Sequence, residues 1–335
     1  MFQIDNSTPF PAELMLLPDT DGVDTLFTVV KGTFAIGPTL RPADEQVPVT
    51  MMDEYFGEPD KSSIRAASDV SLVKPATDVL LCGSAWAPNA RPVWQMEVSL
   101  SVGSVSKTVR ASGDRVWDSG SSGAKMSWVA PFTRMPLVWE RAFGGSDETS
   151  KGPSTYRRNP VGVGFRPSGG AKSLHGLLVP NIEDPAAPIL VPDDSPPTAG
   201  LAPIAPHWEP RVGFAGTYDQ SWEDRRAPYL PGDFDRRFFQ VAPAGLVAPG
   251  YLNGREWVKA RGVTLGGELR FQLPSIRIET IYLLDNVAHP VASNLETVVI
   301  EPDDNRVVLV WRSALRCDKK ARRLNEVAVA SVSAA

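Results

Sequence analysis

The sequence predicts an all-β protein, mainly antiparallel and sandwich-like, with a long coil-rich middle and few short helices. Three observations predict it. The clear apolar periodicities have a period of two, the mark of half-buried strands. Helical periodicity is scarce. Proline is abundant, 31 of 335 residues, and proline removes a backbone donor and breaks helices.

The elements follow in order. Residues 26–36 are rich in β-branched and aromatic side chains and predict a strand. Residues 79–86 predict another. Met96, Val98, Leu100 and Val102 alternate with Glu97, Ser99 and Ser101; Gly103-Ser104 turns the chain and 105–110 returns, which makes a hairpin. The alternating run 269–273 follows the Gly266-Gly267 turn. Runs 296–300 and 306–311 flank Pro302-Asp303-Asp304-Asn305, a turn with Pro and Asp where turns favour them. A last strand is expected over 326–332, after 316–323. Short helical turns are expected around 53–55 or 222–226.

Between about 143 and 250 the strand signals fade and Gly, Pro, Asp and Arg dominate. The stretch is not of low complexity: Trp208, Phe214, Tyr218, Trp222, Tyr229, Phe234, Phe238 and Phe239 offer large anchors. It reads as ordered coil packed on a β scaffold, with 186–202 as the expected mobile part. Strands at both ends of the chain then close around it, giving one large domain over 1–335.

Composition excludes some classes. The net charge is −5 and the pI about 5.4, so the basic field needed for general phosphate-backbone binding is missing. The local run Lys319-Lys320-Ala321-Arg322-Arg323 reads as a solvated turn. No apolar run approaches the ~20 residues of a membrane helix, and the N-terminus has no basic region before an apolar one. The expectation is a cytoplasmic protein with no membrane or nucleic-acid partner. Cys82 and Cys317, far apart in sequence, then read as reduced structural thiols.

Chemistry-bearing motifs are few. The stretch RRNPVGVGF, residues 157–165, offers two arginines and a Gly-x-Gly. A phosphate cradle of that kind should open a helix, and Phe165-Arg166-Pro167 does not start one, so a tight turn is the better reading. Loop carboxylates Glu140, Asp147, Glu148, Glu183, Asp184, Asp233 and Asp235 lie near aromatics, as a glycosidase would need, but no spacing selects a pair. A calcium site built on them has no better support. His175, His207 and His289 are isolated, with no His-x-x-x-His or Cys-x-x-Cys. Gly120-Ser121-Ser122-Gly123 reads as a flexible turn. No metal, cofactor or nucleophile site is expected.

Taken in order, several motifs form a set: Asn6-x-Thr8-Pro9-Phe10; Val30-Lys31-Gly32-Thr33-Phe34; Gly83-Ser84-Ala85-Trp86-Ala87-Pro88; Gly113-Asp114-Arg115-x-Trp117; Pro136-Leu137-x-x-Glu140-Arg141-Ala142-Phe143-Gly144-Gly145; Asn159-Pro160-Val161-Gly162-x-Gly164; Pro180-Asn181-Ile182-Glu183-Asp184-Pro185; Trp208-x-Pro210-Arg211; Gly216-Thr217-Tyr218-Asp219; and Leu230-Pro231-x-Asp233-Phe234-Asp235. From about residue 3 to about 312 this string resembles the bacterial family of type VI secretion effector adaptors catalogued as domain of unknown function 2169. Its members are encoded beside spike (VgrG), PAAR and toxin genes. The resemblance implies a non-enzymatic adaptor or chaperone that holds a toxic effector, or its PAAR-linked region, in the cytosol and helps load it onto the VgrG/PAAR spike. It supplies motifs but no established contact residues. Trp86, Arg141, Asn159, Asn181, Asp184, Trp208, Arg211 and Asp233 are the motif residues taken as candidate partner contacts. Beside that stands a plainer reading, in which Arg141, Asn159, Asn181, Asp184 and Arg211 cap and cross-link coil. A hydrolase using the loop carboxylates, or a structural component of the spike, are the alternatives.

Overall fold

The structure, a computed structural model, describes residues 4–120, 123–167 and 173–333. It is built from several mainly antiparallel sheets. The largest runs in the order Ala12–Pro18, Asp24–Ala35, Arg306–Arg316, Asn294–Glu301, Asp78–Leu81, with Arg41–Pro42 paired to the end of Asp24–Ala35. Its neighbours are antiparallel except the last two, which are parallel. A second sheet orders Ile182–Glu183, Val105–Ser112, Gln95–Val102, Trp257–Arg261 and Glu268–Gln272. A third orders Ile4–Asn6, Leu324–Ser333, Ile276–Leu284 and Val287–Ala292.

The period of two does the packing. Val30, Phe34, Val307, Leu309 and Trp311 project from one face of the largest sheet into the main core. Val98, Leu100, Val102, Val258 and Ala260 project into the same core from the second sheet. Apolar burial at about 25 cal/mol per Å² makes this shared core the main stabilising term. The Asn6–Phe10 motif feeds it: Asn6 Oδ1 accepts from the Thr8 amide at 3.0 Å, Asn6 Nδ2 donates to the Phe10 carbonyl at 2.7 Å, and the turn delivers Phe10 onto Phe34 and Trp311. Gly32 leaves the room, since a Cβ there would stand 3.0–3.1 Å from those three rings.

Asp24–Ala35 is buried along nearly its whole length, because its other face is covered too. That face carries charge. Lys31 pairs with Asp69 at 2.8 Å, Arg312 with Glu296 at 2.7 Å and Lys74 with Asp78 at 2.7 Å, all deeply buried. Burial on this scale is tolerable only when each charge has a partner. The pairs are tied together: the Lys74 amide donates to Glu296 at 2.8 Å and Arg312 donates to the Asp69 carbonyl at 2.6 Å.

Most sequence expectations hold, and some are corrected. The hairpin expected at 96–110 is Gln95–Val102 with Val105–Ser112. The last strand is Leu324–Ser333, after a 3-10 turn at Asp318–Arg323. The strand expected at 79–86 is instead two. Asp78–Leu81 ends at Cys82-Gly83, and Ser84–Trp86 pairs with Arg134–Pro136 in a separate ribbon. The helical turn expected at 53–55 is strand Glu54–Tyr55, paired with Ile64–Ala66. The one near 222 is real: Gln220–Arg225 is helical, capped by Asp219 accepting from the Trp222 amide at 2.9 Å. The 186–202 stretch, expected to be mobile, packs through Ile189, Ala199, Leu201 and Ala202, and the Leu81 amide bonds the Leu201 carbonyl at 3.0 Å. Of the expected coil anchors Trp208 is fully buried. Phe234, Phe238 and Phe239 form a ring cluster nearer the surface. The turn expected at 120–123 has its centre, Ser121-Ser122, outside the described residues.

Candidate partner-binding face

Residues 43–69 cross the charged face of the largest sheet, and side chains hold them there. Gln46 replaces a strand neighbour: its Oε1 accepts from the Thr33 amide at 2.8 Å and its Nε2 donates to the Thr33 carbonyl at 3.0 Å. Val47 and Val49 then pack on Val29, Val308 and Val310. Lys31 closes the base by donating to Thr50 at 2.7 Å and Asp69 at 2.8 Å, and Asp69 also takes the Thr50 amide at 2.8 Å. Beyond that clasp the chain forms the small Glu54–Tyr55/Ile64–Ala66 hairpin. Glu140 pins its far side by accepting from the Ser63 amide and hydroxyl, each at 2.7 Å. The hairpin therefore has a fixed base and a fixed flank.

What it displays is apolar. Met51 is 54% exposed, Met52 74% and Phe56 55%. Cavities open on either side. One, of about 490 Å³, lies between the sheet face (Thr297, Val299, Val308, Val310) and Val47–Met52. The other, of about 550 Å³, is walled by Phe56, Ile64, Gly83, Ser84, Pro136, Leu137, Val138 and Ala202. Arg65, Cys82 and Glu301 line both, so the two adjoin. Both volumes lie within the range of ligand pockets, and methionine suits a surface that must repack around a partner.

Asp303 organises the rim of the second cavity. It accepts from Ser84 Oγ at 2.8 Å, Trp86 Nε1 at 2.7 Å and Arg134 at 2.9 Å, and Arg134 lies over the Trp86 ring at 5.1 Å. Burial alone would push its carboxyl up, but the three donors and the arginine charge outweigh it and hold it below the usual range. Trp86, a candidate contact, therefore sits on this rim. Arg141 lines the same cavity and is paired with Asp114 at 3.2 Å. Cys82 lies in the shared wall, where burial pushes its thiol pKa well up.

The other candidate contacts line neither cavity. Asn159 is 0% exposed and donates to the carbonyls of Trp139 at 2.8 Å and Phe143 at 3.1 Å. Asn181 is buried and donates to the Ser112 carbonyl and to Asp114, each at 3.0 Å. Trp208 stands edge-on to Trp139 in the core. Buried Arg211 donates to the carbonyls of Ile204 at 2.6 Å and Phe238 at 2.9 Å. Asp184 caps its own turn through the Ala186 amide, and Asp233 takes the Thr217 amide and hydroxyl. A partner does not reach Asn159 or Trp208 where they lie, because both are buried.

The same geometry settles the 157–165 loop as a packed turn. A Cβ on Gly162 would stand 2.4 Å from Asn159 Nδ2, and Gly164 has φ +90 and pairs with Gly144. Arg157 and Arg158 are mostly exposed and lie 3.8 and 4.0 Å from Glu209. The loop carboxylates have local duties: Glu140 on Ser63, Glu183 on Arg115 at 2.6 Å, Asp235 on Arg237 at 2.6 Å. Among the described residues no cluster of His, Cys, Asp and Glu is arranged to hold a metal, and no helix is long and apolar enough to cross a membrane. Cys82 and Cys317 are free thiols.

Met51, Met52 and Phe56 escaped the sequence reading. Their one signal was an apolar pair beside Asp53-Glu54, with no periodicity to place it inside.

Residues 21–312 match the bacterial family described as an uncharacterized protein conserved in bacteria, domain of unknown function 2169, and the chain belongs to that family. No curated protein and no solved structure matches the chain.

Proposed function

We propose that this protein is a non-enzymatic adaptor that binds a type VI secretion effector, or its PAAR-linked region, in the cytosol and helps load it onto the VgrG/PAAR spike. The observation that carries the reading is the exposed Met51/Met52/Phe56 surface set between two adjoining cavities. Family membership and the ordered motif string support it. An adaptor must cover client surface firmly and later let it go. A rigid floor with a few soft apolar anchors does that: burying each half-exposed side chain contributes roughly 1 kcal/mol, and an interface of about 800 Å² per partner supplies the rest.

The test is a tagged pull-down from the native cells, with the wild type and a Met52→Asp/Phe56→Asp variant. The wild type is expected to recover a toxin or PAAR protein, the variant to lose it while staying folded, and deletion of the gene to lower the toxin's level. Recovery of the wild-type protein alone, with toxin unchanged by deletion, overturns the reading.

A further inference from the structure

Among the described residues Glu268–Gln272 is a terminal strand of the second sheet, paired with Trp257–Arg261 on one side only. At its end the Arg255 amide donates to the Leu273 carbonyl at 3.0 Å and the Leu273 amide to the Glu256 carbonyl at 2.9 Å. That sets the phase of the ladder. Leu273, Phe271 and Leu269 bond inward, so the N–H and C=O groups of Glu268, Arg270 and Gln272 point away from the sheet. Among the described residues none of these outward groups has a protein partner. The side chains alternate as a strand requires: Leu269 and Phe271 pack toward the main core, while Glu268, Arg270 and Gln272 are exposed on the outer face. Other edges are blunted. Asp78–Leu81 is covered by coil, with the Val79 and Leu81 amides donating to the Leu246 and Leu201 carbonyls at 2.9 and 3.0 Å, and Val287–Ala292 carries Pro290. Glu268–Gln272 has neither a cover nor a proline.

Charge says which strand fits. The outward positions of the whole sheet carry Arg110, Lys259, Arg261 and Arg270 against Glu97, Glu183 and Glu268. Glu183 is taken by Arg115 and Glu268 by Arg261, each at 2.6 Å, and Glu97 stands opposite Arg110 in register. Lys259 and Arg270 make no ion pair among the described residues, and Glu268 acts on both only through space. These two cations face each other in a non-hydrogen-bonded pair, where cross-strand side chains come closest and like charges repel. Arg270 lies over the half-exposed Trp257 ring at 4.7 Å. We propose that the Glu268–Gln272 edge receives an extended segment of the client as an added antiparallel strand, with an Asp or Glu opposite Arg270 and apolar side chains on either side of it, beside Leu269 and Phe271. The segment's backbone meets the open N–H and C=O groups. Its acid offsets the Lys259/Arg270 repulsion, and its apolar residues extend the core under the edge. The proposal rests on the adaptor reading for the source of the strand, and it gives the client a point of attachment besides the Met51/Met52/Phe56 face.

The experiment uses the full chain and short capped peptides in fluorescence anisotropy. Their centres read Thr-Val-Glu-Val-Thr or Thr-Val-Lys-Val-Thr, and a third peptide carries an N-methyl group on the backbone of the central glutamate. The glutamate peptide is expected to bind about tenfold tighter than the lysine peptide at low salt, since the exchange turns attraction to two cations into repulsion. The N-methyl peptide should lose about fivefold or more, the worth of one hydrogen bond. Arg270→Glu should reverse the charge preference. Gln272→Pro removes an outward N–H and no ladder bond, which edge strands tolerate, and should weaken the glutamate peptide about fivefold relative to Gln272→Ala. Wild-type unfolding midpoints show that these variants are folded. Equal binding of all three peptides, binding of none, or affinities that Arg270→Glu and Gln272→Pro leave unchanged overturns the inference. So does a wild-type dimer in sedimentation that Gln272→Pro dissolves, which gives the edge to a second copy of the chain. The two proposals fail separately. A native client captured undiminished by Gln272→Pro leaves the adaptor reading standing and sinks this edge; selective peptide binding without any client in cells does the reverse.

Discussion

Asn159→Ala is the sharpest probe of whether the family motifs build the coil or touch the partner. Asn159 is 0% exposed, and its Nδ2 is shared between the carbonyls of Trp139 and Phe143 at 2.8 and 3.1 Å. Truncation removes both bonds and a longer, weaker one to the Ala142 carbonyl at 3.5 Å. Neither carbonyl is left bare, because Trp139 O also takes the Ala142 amide at 3.1 Å and Phe143 O takes Thr198 Oγ1 at 3.2 Å. The loss is therefore near the net value of two hydrogen bonds, about 1 kcal/mol each, plus about 1 kcal/mol for the small void. The expected total is roughly 2–3 kcal/mol, a large share of a typical 5–15 kcal/mol stability. Urea unfolding followed by tryptophan fluorescence should show a lower midpoint with an unchanged slope. Asn159→Asp sharpens the result. A carboxylate facing carbonyl oxygens has a folded pKa above its unfolded value near 3.9. Its relative stability is then present below that value and lost as pH rises through the folded pKa. The aspartate variant should fall further below the alanine variant at pH 7 than at pH 4. An Asn159→Ala protein with wild-type stability but no client capture would refute the reasoning and make Asn159 a contact.

Further outcomes follow from the same geometry. Arg312→Met leaves Glu296 buried and unpaired and should cost about 3–5 kcal/mol, while Arg312→Met/Glu296→Leu should recover much of it; a double-mutant cycle by urea unfolding reads this directly, and equal losses in single and double variants would contradict it. Gly113→Ala would bring a Cβ to 1.7 Å from the Ala130 carbonyl oxygen, so it should fail to fold or unfold well below the wild type in a thermal melt. Asp303 is held below the usual carboxylate range, so its contribution is present above an unfolded pKa near 3.9 and lost as pH falls through the folded value. The stability gap between wild type and Asp303→Asn should be widest above about pH 5 and shrink toward pH 3; a gap independent of pH would exclude the carboxylate as its source.

The period-two runs made the β scaffold legible, because alternation is set by the strand itself. The 96–102 run and its return are the plainest case. The coil could be read as ordered from its large side chains, yet its contacts could not, since nothing local says that Asn159 meets Trp139 or that Asn181 meets Asp114. The buried charges were equally hidden: Lys31 and Arg312 look like surface residues in a strand until 43–78 folds over them. The candidate face was missed for a related reason. Met51, Met52 and Phe56 read as ordinary apolar residues, and their exposure results from the hairpin being fixed at Lys31 and Glu140, residues 20 and more positions away. Five of the eight candidate contacts also read as braces of the coil, and of these Asn159, Asn181 and Arg211 are buried and donate to backbone carbonyls.

This division has a consequence for partner choice. A coil without a ladder must satisfy its buried backbone with side chains, and motif residues Asn159, Asn181 and Arg211 do so by donating to backbone carbonyls. On the adaptor reading proposed above, the client-facing chemistry sits outside the string, in the exposed Met51, Met52 and Phe56. These three apolar side chains brace no backbone and are free to change with the partner. On the same reading, relatives that hold different effectors should keep the braces and differ over 44–60. Aligning such relatives and pairing each with its neighbouring toxin checks this. A 44–60 stretch as invariant as Asn159, whatever the toxin, would mean that this hairpin is scaffold and that partner choice is made elsewhere on the protein.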